Sequence, residues 1–444
     1  MDTPIYDFVR AYADSGVSRM HMPGHKGMGP LGCEPYDITE VSGADSLYEA
    51  EGIIAQSEAN ATALFGTGRT LYSTEGSSQC IRAMLHLALL HRRPGTSRTI
   101  VAARNVHKVF VYAAALLDFD VVWLRPEDQS SLCSCPITAE GLKRTLSSLP
   151  QPPAAVYVTS PDYLGGMADI AALSRVCVEH GAYLLVDNAH GAYLRFLKPS
   201  QHPMDLGADF CCDSAHKTLP VLTGGAYLHM AKRLPESVLV DGKGALALFG
   251  STSPSYLILS SLDRCNALLD SDYPEQLRST VTRLGLLRHR LSDAGWQVEK
   301  SDPLRITICA PKEITGHDLA DRLRDHGIEC EFSDPEHLVF MLTPFNKTAD
   351  LEQLAAALGE NQSPTTGITP IPVPPAPRRC SIRQAIFSSH ETIPVQQALG
   401  RICGAPSVSC PPAIPVVVSG EEISAEAIAC FLHYHITSVD VIKE

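Results

Sequence analysis

The chain has 444 residues, 45% hydrophobic and 19% charged, with a formal net charge of −13. This length suits two or three domains, the apolar content excludes a disordered chain, and the acidic balance excludes a nucleic-acid binder built on clustered Lys and Arg. No run of about 18 apolar residues reads as a membrane span, and Met1–Arg10 carries Asp2 and Asp7 without the apolar core of a signal peptide, so a cytoplasmic protein is expected.

Residues 1–50 hold little periodic structure but many Gly, Pro and His, and read as an N-terminal arm. From Ser77 to Arg93, Ile81, Met84, Leu85, Ala88 and Leu89 fall on one helical face. Short apolar runs follow at Thr99–Ala102, Val121–Leu124, Ala155–Thr159, Tyr183–Val186, Asp209–Cys212 and Ala226–Met230, separated by helical patterns such as Ile170–Glu179. Buried strands alternating with helices predict an α/β fold with a mainly parallel sheet between helices, over residues 51–273. Residues 274–362 change character: a long helix at Glu275–Ala294, a strand at Leu304–Cys309, a helix at His317–His326, strands at Ile328–Phe332 and His337–Leu342, and a helix at Ala349–Leu358 predict a small α+β domain. Residues 363–378, rich in Pro and Thr, read as an extended linker. Residues 379–444 form a C-terminal segment with a Pro-rich turn at Cys410–Pro415 and an amphipathic end around Ala425–Tyr434.

The 14 cysteines are scattered without a C-x-x-C pair, which favours reduced, mostly buried thiols over metal sites or disulfides. His21 and His25 have helical metal-ligand spacing, but Pro23 and Gly24 between them oppose a helix, and an interface or gate role is expected instead.

Lys217 stands in Asp213-Ser214-Ala215-His216-Lys217-Thr218, just after a buried strand, with Gly224 and Gly225 downstream. A lysine desolvated at a strand end has a lowered pKa and can form a Schiff base. It can equally be a solvated turn residue. Asp187, 30 residues upstream, ends the strand Leu184–Val186, at the end of an α/β strand where ligands bind. Pyridoxal phosphate needs such an acid at its pyridinium nitrogen; a helix-capping aspartate is the alternative. Gly76, Ser77 and Ser78 open a helix, where backbone N–H groups and the helix dipole can hold a phosphate, or where a serine simply caps. His107 follows the strand Thr99–Ala102 and is placed to stack on a cofactor ring.

His21-Met22-Pro23-Gly24-His25-Lys26-Gly27, Gly43-Ala44-Asp45-Ser46-Leu47, Arg104-Asn105-Val106-His107-Lys108, Thr159-Ser160-Pro161-Asp162-Tyr163, Val186–Gly191, Ser214–Pro220 and Phe249–Tyr256 together resemble the Orn/Lys/Arg decarboxylase family. That family has the aspartate-aminotransferase fold (fold type I) of pyridoxal-phosphate enzymes. The resemblance is dense over residues 4–265, and it is to the short lysine/arginine decarboxylases, which lack an N-terminal wing domain. It implies decarboxylation of lysine, arginine or ornithine to an amine and CO2, a role in polyamine biosynthesis, and a homodimer or larger assembly with sites at the interface. It also implies that Lys217 carries pyridoxal 5'-phosphate as a Schiff base, that Asp187 pairs with the pyridinium nitrogen, and that His107 stacks on the ring. Ser77, Ser78, Ser214 and His216 then contact the phosphate, Ala189 packs beneath the ring, and His190 belongs to the same cofactor set. Ser251 and Thr252 resemble the stretch that reaches the partner subunit's cofactor.

The C-terminal segment departs from the family pattern: Ala405 stands where an acid is expected and Cys410 where a tyrosine is expected, while Glu421 is retained. Glu421 is thus the candidate for gripping the substrate's distal cation. Because a buried cation needs a paired anion, another pyridoxal-phosphate reaction or a silent homologue are the alternatives. For an aminotransferase, Arg305 is the candidate carboxylate-binding residue.

Overall fold

Among the described residues the chain forms twelve strands: β1 (Arg69–Ser73), β2 (Thr99–Ala103), β3 (Asp120–Leu124), β4 (Ala155–Thr159), β5 (Tyr183–Asp187), β6 (Phe210–Asp213), β7 (Ala226–Met230), β8 (Arg305–Cys309), β9 (Phe332–Ser333), β10 (His337–Met341), β11 (His390–Pro394) and β12 (Ser438–Ile442), of which β2 to β8 and β10 fall on the expected runs. The computed structural model describes residues 1–126, 131–360, 370–406 and 412–443. It divides into two compact units, one made of Met1–Thr96 and Ile170–Gln276, the other of Ser97–Asp169 and Leu277–Glu444.

In the first unit the strands run in the order β1-β7-β6-β5. β5 and β6 are parallel, while β7 is antiparallel to both β6 and β1. All five residues of β5 are buried, as a strand covered on both faces requires. The helix Gly76–Leu90 buries Ile81, Met84, Leu85 and Ala88, the face expected from their spacing. At the other side of this core, Phe65 meets the rings of Phe196, His202, Tyr227 and His229 at centroid distances of 4.5 to 5.6 Å.

The N-terminal arm is more ordered than its composition suggested, since Pro4–Asp14 is a helix with Ile5 and Val9 buried. Burial of each such side chain contributes roughly 1.5–3 kcal/mol. Thr3 makes no capping bond from its side chain. The Asp263 carboxylate instead accepts the N–H groups of Ile5 and Tyr6 at 2.9 and 3.0 Å, so a residue far along the chain caps this helix.

In the second unit β4, β2 and β3 pair in parallel in that order. A three-stranded antiparallel sheet, β8-β10-β9, and the helices Tyr273–Asp293, Gly316–Asp325 and Thr348–Leu358 match the expected α+β pattern. One element differs. The strand expected over Ile328–Phe332 shrinks to Phe332–Ser333, because Gly327 (φ +72°) follows the preceding helix and the paired register with β10 begins at Phe332. The C-terminal segment adds the antiparallel pair β11-β12 and the helix Ala425–His433, whose Phe431 and Cys430 join Val416, Val417, Ile423 and Val441 in one core. Of the expected linker, residues 370–378 carry no helix and only an isolated bridge at Arg378; residues 363–369 lie outside the described residues, as does Cys410. No disulfide forms among the described cysteines, and Cys80, Cys133, Cys177, Cys211, Cys212, Cys265, Cys403 and Cys430 are buried.

Candidate active site

In the first unit, chemistry gathers at the carboxyl ends of the parallel strands β5 and β6. Asp187 is the last residue of β5 and is 3% exposed. Its Oδ1 accepts the Ala189 N–H at 3.2 Å and faces the Cys212 thiol at 3.6 Å. β6 ends at Asp213, and the next turn, Ala215–Thr218, carries His216 and Lys217. Lys217 Nζ lies 2.9 Å from His190 Nε2. The strand order thus brings Asp187, His190 and Lys217 to one end of the sheet, as their positions at strand ends implied.

The helix Gly76–Leu90 begins in the same unit. Its N-cap, Glu75, makes no capping bond from its side chain. The Ser214 hydroxyl donates to Ser77 Oγ at 2.8 Å, so the first helical turn and the β6 turn share one polar patch. Gly76 (φ +71°) donates its N–H to Gly224 O at 2.7 Å, and a Cβ at Gly76 would meet nothing within 4 Å. Gly224 (φ +101°) is required by close approach: a Cβ there would sit 2.8 Å from Thr74 O. His216 Nδ1 lies 3.0 Å from Gly225 O, and burial lowers its pKa. Ser251 and Thr252 are exposed, with the Ser251 N–H on the Glu75 carboxylate.

Beneath this patch lies a buried anion whose partners sequence reasoning missed. Asp213 Oδ2 is 3.0 Å from Nε2 of both His202 and His229, and Oδ1 accepts the Asn188 amide at 2.7 Å. Burial works to raise the Asp213 pKa, yet the two imidazoles hold it well below the carboxylate range. His202 Nδ1 accepts the Met204 N–H, which places the ring proton on Nε2. Asp213 therefore ties down Asn188, next to Asp187, and stands next to Ser214. The available signal was period two: Cys211 and Asp213 share a strand face, and Cys211 pairs with His229 across β7.

In the second unit, His107 caps the helix Lys108–Leu117, its Nδ1 accepting the Val109 N–H at 3.2 Å, and the next residue donates its N–H to Ala413 O. Glu421 is 5% exposed. Its Oε2 accepts the Val418 N–H at 2.8 Å and lies 3.9 Å from Arg104 Nη2. Arg104 also donates to Pro415 O and Val416 O. Arg305 is 1% exposed, with Nη1 donating to the carbonyls of Asp162 and Tyr163 and Nε 3.3 Å from Asp302. Both charged groups thus have internal partners. His21 and His25 lie outside any helix and engage Tyr12 and Asp37 separately.

The donor set of the first unit fits a phosphate-bearing pyridine aldehyde: an amine on Lys217, a carboxylate on Asp187, and two hydroxyls at a helix start that opens on free space. This α/β arrangement defines the fold-type-I class of pyridoxal-phosphate-dependent enzymes. Solved structures of the same fold include a Francisella novicida lysine decarboxylase, with a TM-score of 0.81 and 18% identity over 99% of this chain and 81% of that one. Another is the constitutive lysine decarboxylase of E. coli, with a TM-score of 0.79 and 17% identity over 100% of this chain and 82% of that one. An arginine decarboxylase of Bacillus subtilis is 29% identical over 96% of this chain and 92% of its own length. The model of the Orn/Lys/Arg decarboxylase major domain matches residues 3–310, and the chain belongs to that family.

Proposed function

We propose that this chain decarboxylates a basic amino acid, arginine before lysine or ornithine, with pyridoxal 5'-phosphate held on Lys217. Family membership supports the reaction, and the observation that carries the site is the 2.9 Å approach of Lys217 Nζ to His190 Nε2 beside Asp187. The arginine decarboxylase among the relatives supports the order of substrates. Bound there, pyridoxal phosphate supplies an electron sink for the bond to the departing carboxylate.

The residues do the rest. Lys217 would hold the cofactor through Nζ, take up a proton on its release and deliver that proton to the substrate carbon. His190 Nε2 holds a proton on Lys217 between these events. The Asp187 carboxylate keeps the ring nitrogen protonated. Ser77, Ser78, Ser214 and the free N–H groups of the first helical turn bind the phosphate, aided by the helix dipole. His216, on the turn after β6, would add a ring N–H to the same set. The family resemblance would give His107 and Ala189 the role of packing against the ring.

Glu421 we assign to Arg104 rather than to the substrate, because its carboxylate is buried and taken by internal partners. Arg305 braces the Asp162–Tyr163 backbone, which leaves the aminotransferase reading without its carboxylate-binding residue. Two copies associate, with the exposed Ser251–Thr252 stretch reaching the neighbouring site, in a cytoplasmic enzyme that feeds polyamine synthesis. No helix among the described residues is long and apolar enough to cross a membrane. Incubation with arginine, lysine and ornithine, followed by mass spectrometry of the amines, tests the reading.

A further inference from the structure

The second unit carries a cluster that the decarboxylation does not use. The turn between β9 and β10 presents Asp334, Glu336 and His337, which are 3%, 2% and 7% exposed. Each offers a ligand atom, and these atoms lie within 4.8 Å of one another. A fourth donor arrives from the C-terminal helix Ala425–His433, whose His433 Nε2 contacts Glu336 Oε1. Nearby, the rings of His317 and His435 lie 5.3 Å apart, and both residues line a cavity of about 220 Å³ that Asp334 also lines.

The hydrogen bonds show which oxygens are committed. Asp334 Oδ1 accepts the N–H groups of Glu336 and His337 at 2.8 and 2.6 Å and faces His337 Nδ1 at 3.1 Å, so it shapes the turn. Its Oδ2 has only the longer 3.3 Å approach of His337 Nδ1. Glu336 Oε2 is buried and has no hydrogen-bond partner among the described residues. An unsatisfied buried carboxylate oxygen is costly. Asp334, Glu336 and His337 hold their ligand atoms within 4.8 Å of one another and His433 reaches Glu336, and two carboxylates with two imidazoles form the N/O donor set of a divalent transition cation, Zn2+ above all. The cavity beside Asp334, and the partial exposure of His433, give such an ion a way in.

We propose that Asp334, Glu336, His337 and His433 form a binding site for a divalent transition-metal cation of the zinc class. The ion pins the C-terminal helix to the β9–β10 turn. The site is structural, and none of its four residues is among those assigned to decarboxylation.

Co2+ titration of the purified, cofactor-loaded chain tests this, read by the visible d–d bands of the metal. The wild type is expected to bind one Co2+ per chain at this site without a thiolate charge-transfer band, since the donors are nitrogen and oxygen. Glu336→Gln and His433→Asn are expected to lose affinity at least tenfold, while His289→Asn, an exposed histidine on another helix, leaves it unchanged. Zn2+ is expected to raise the Tm of the wild type and not that of Glu336→Gln. Glu336→Gln removes a charge from an oxygen without partners, so the variant is expected to fold. Absence of Co2+ binding, or bands that persist in both Glu336→Gln and His433→Asn, would overturn the proposal, as would an equal Zn2+ shift in both proteins.

Discussion

Lys217 Nζ and His190 Nε2 approach to 2.9 Å across the ends of β6 and β5. One strand end carries the amine proposed to hold the cofactor and the other the imidazole proposed to share its proton. His190→Ala is therefore expected to lower kcat by about 10²-fold, while Lys217→Ala abolishes both turnover and the visible absorbance of bound cofactor. Absorbance titration with pyridoxal phosphate beside steady-state kinetics separates the two. An unchanged kcat in His190→Ala would remove the imidazole from the mechanism.

Asp213 is held by His202, His229 and Asn188, between Asp187 and the Ser77–Ser214 pair. Asp213→Asn turns an NH2 toward either the two imidazoles on Oδ2 or the Asn188 amide on Oδ1, leaving a buried donor without its acceptor, a loss of about 1–3 kcal/mol. It is also expected to loosen Asn188, weakening cofactor binding. Thermal unfolding of the cofactor-free protein, with the cofactor Kd measured alongside, checks both effects.

Lys243 and Glu58 form an ion pair of 2.6 Å in the first unit, both nearly buried, and Glu58 also accepts the Tyr72 N–H at 2.9 Å. Lys243→Met leaves a buried carboxylate unpaired, at a cost of about 3–5 kcal/mol. The double change Lys243→Met with Glu58→Gln is expected to recover much of that loss. Denaturant unfolding of the two variants reads the difference.

Asp162 gives the second unit a pH dependence. Burial pushes its carboxyl up to about 6, although Gly166, Ser134 and Arg305 act to lower it. The folded state therefore binds more protons than the unfolded state between about pH 4 and 6. This group's contribution to stability falls as pH rises through that window, by about 2–3 kcal/mol, and is constant above it. Asp162→Asn is expected to remove that slope. Parallel stability curves for the two proteins from pH 4 to 7 would contradict it.

Much of this architecture was legible because its signals are local. The buried strands are continuous apolar runs, and Asp187 and Lys217 stand where those runs stop. The rest depends on contacts between distant residues. The helix Pro4–Asp14 is capped by Asp263, which no local pattern in the arm announces. β11 lies at an edge with a half-exposed pattern, so it lacks the alternation that marks a strand. His202 and His229 meet Asp213 only through the fold, and Glu421 looked available until Arg104 was placed beside it.

Glu421→Gln separates a residue that serves Arg104 from one that grips substrate. It is expected to cost stability and to leave the ratio of kcat/KM for arginine over lysine unchanged. A shift of that ratio by tenfold or more would return Glu421 to the substrate site.

The most direct test is mass spectrometry of the products formed by the cofactor-loaded chain from arginine, lysine and ornithine. Agmatine is expected from arginine with release of CO2, with lower yields of cadaverine and putrescine, and none of the three with Lys217→Ala. Cofactor bound on Lys217 with no amine formed from any of the three substrates would contradict the proposed decarboxylation.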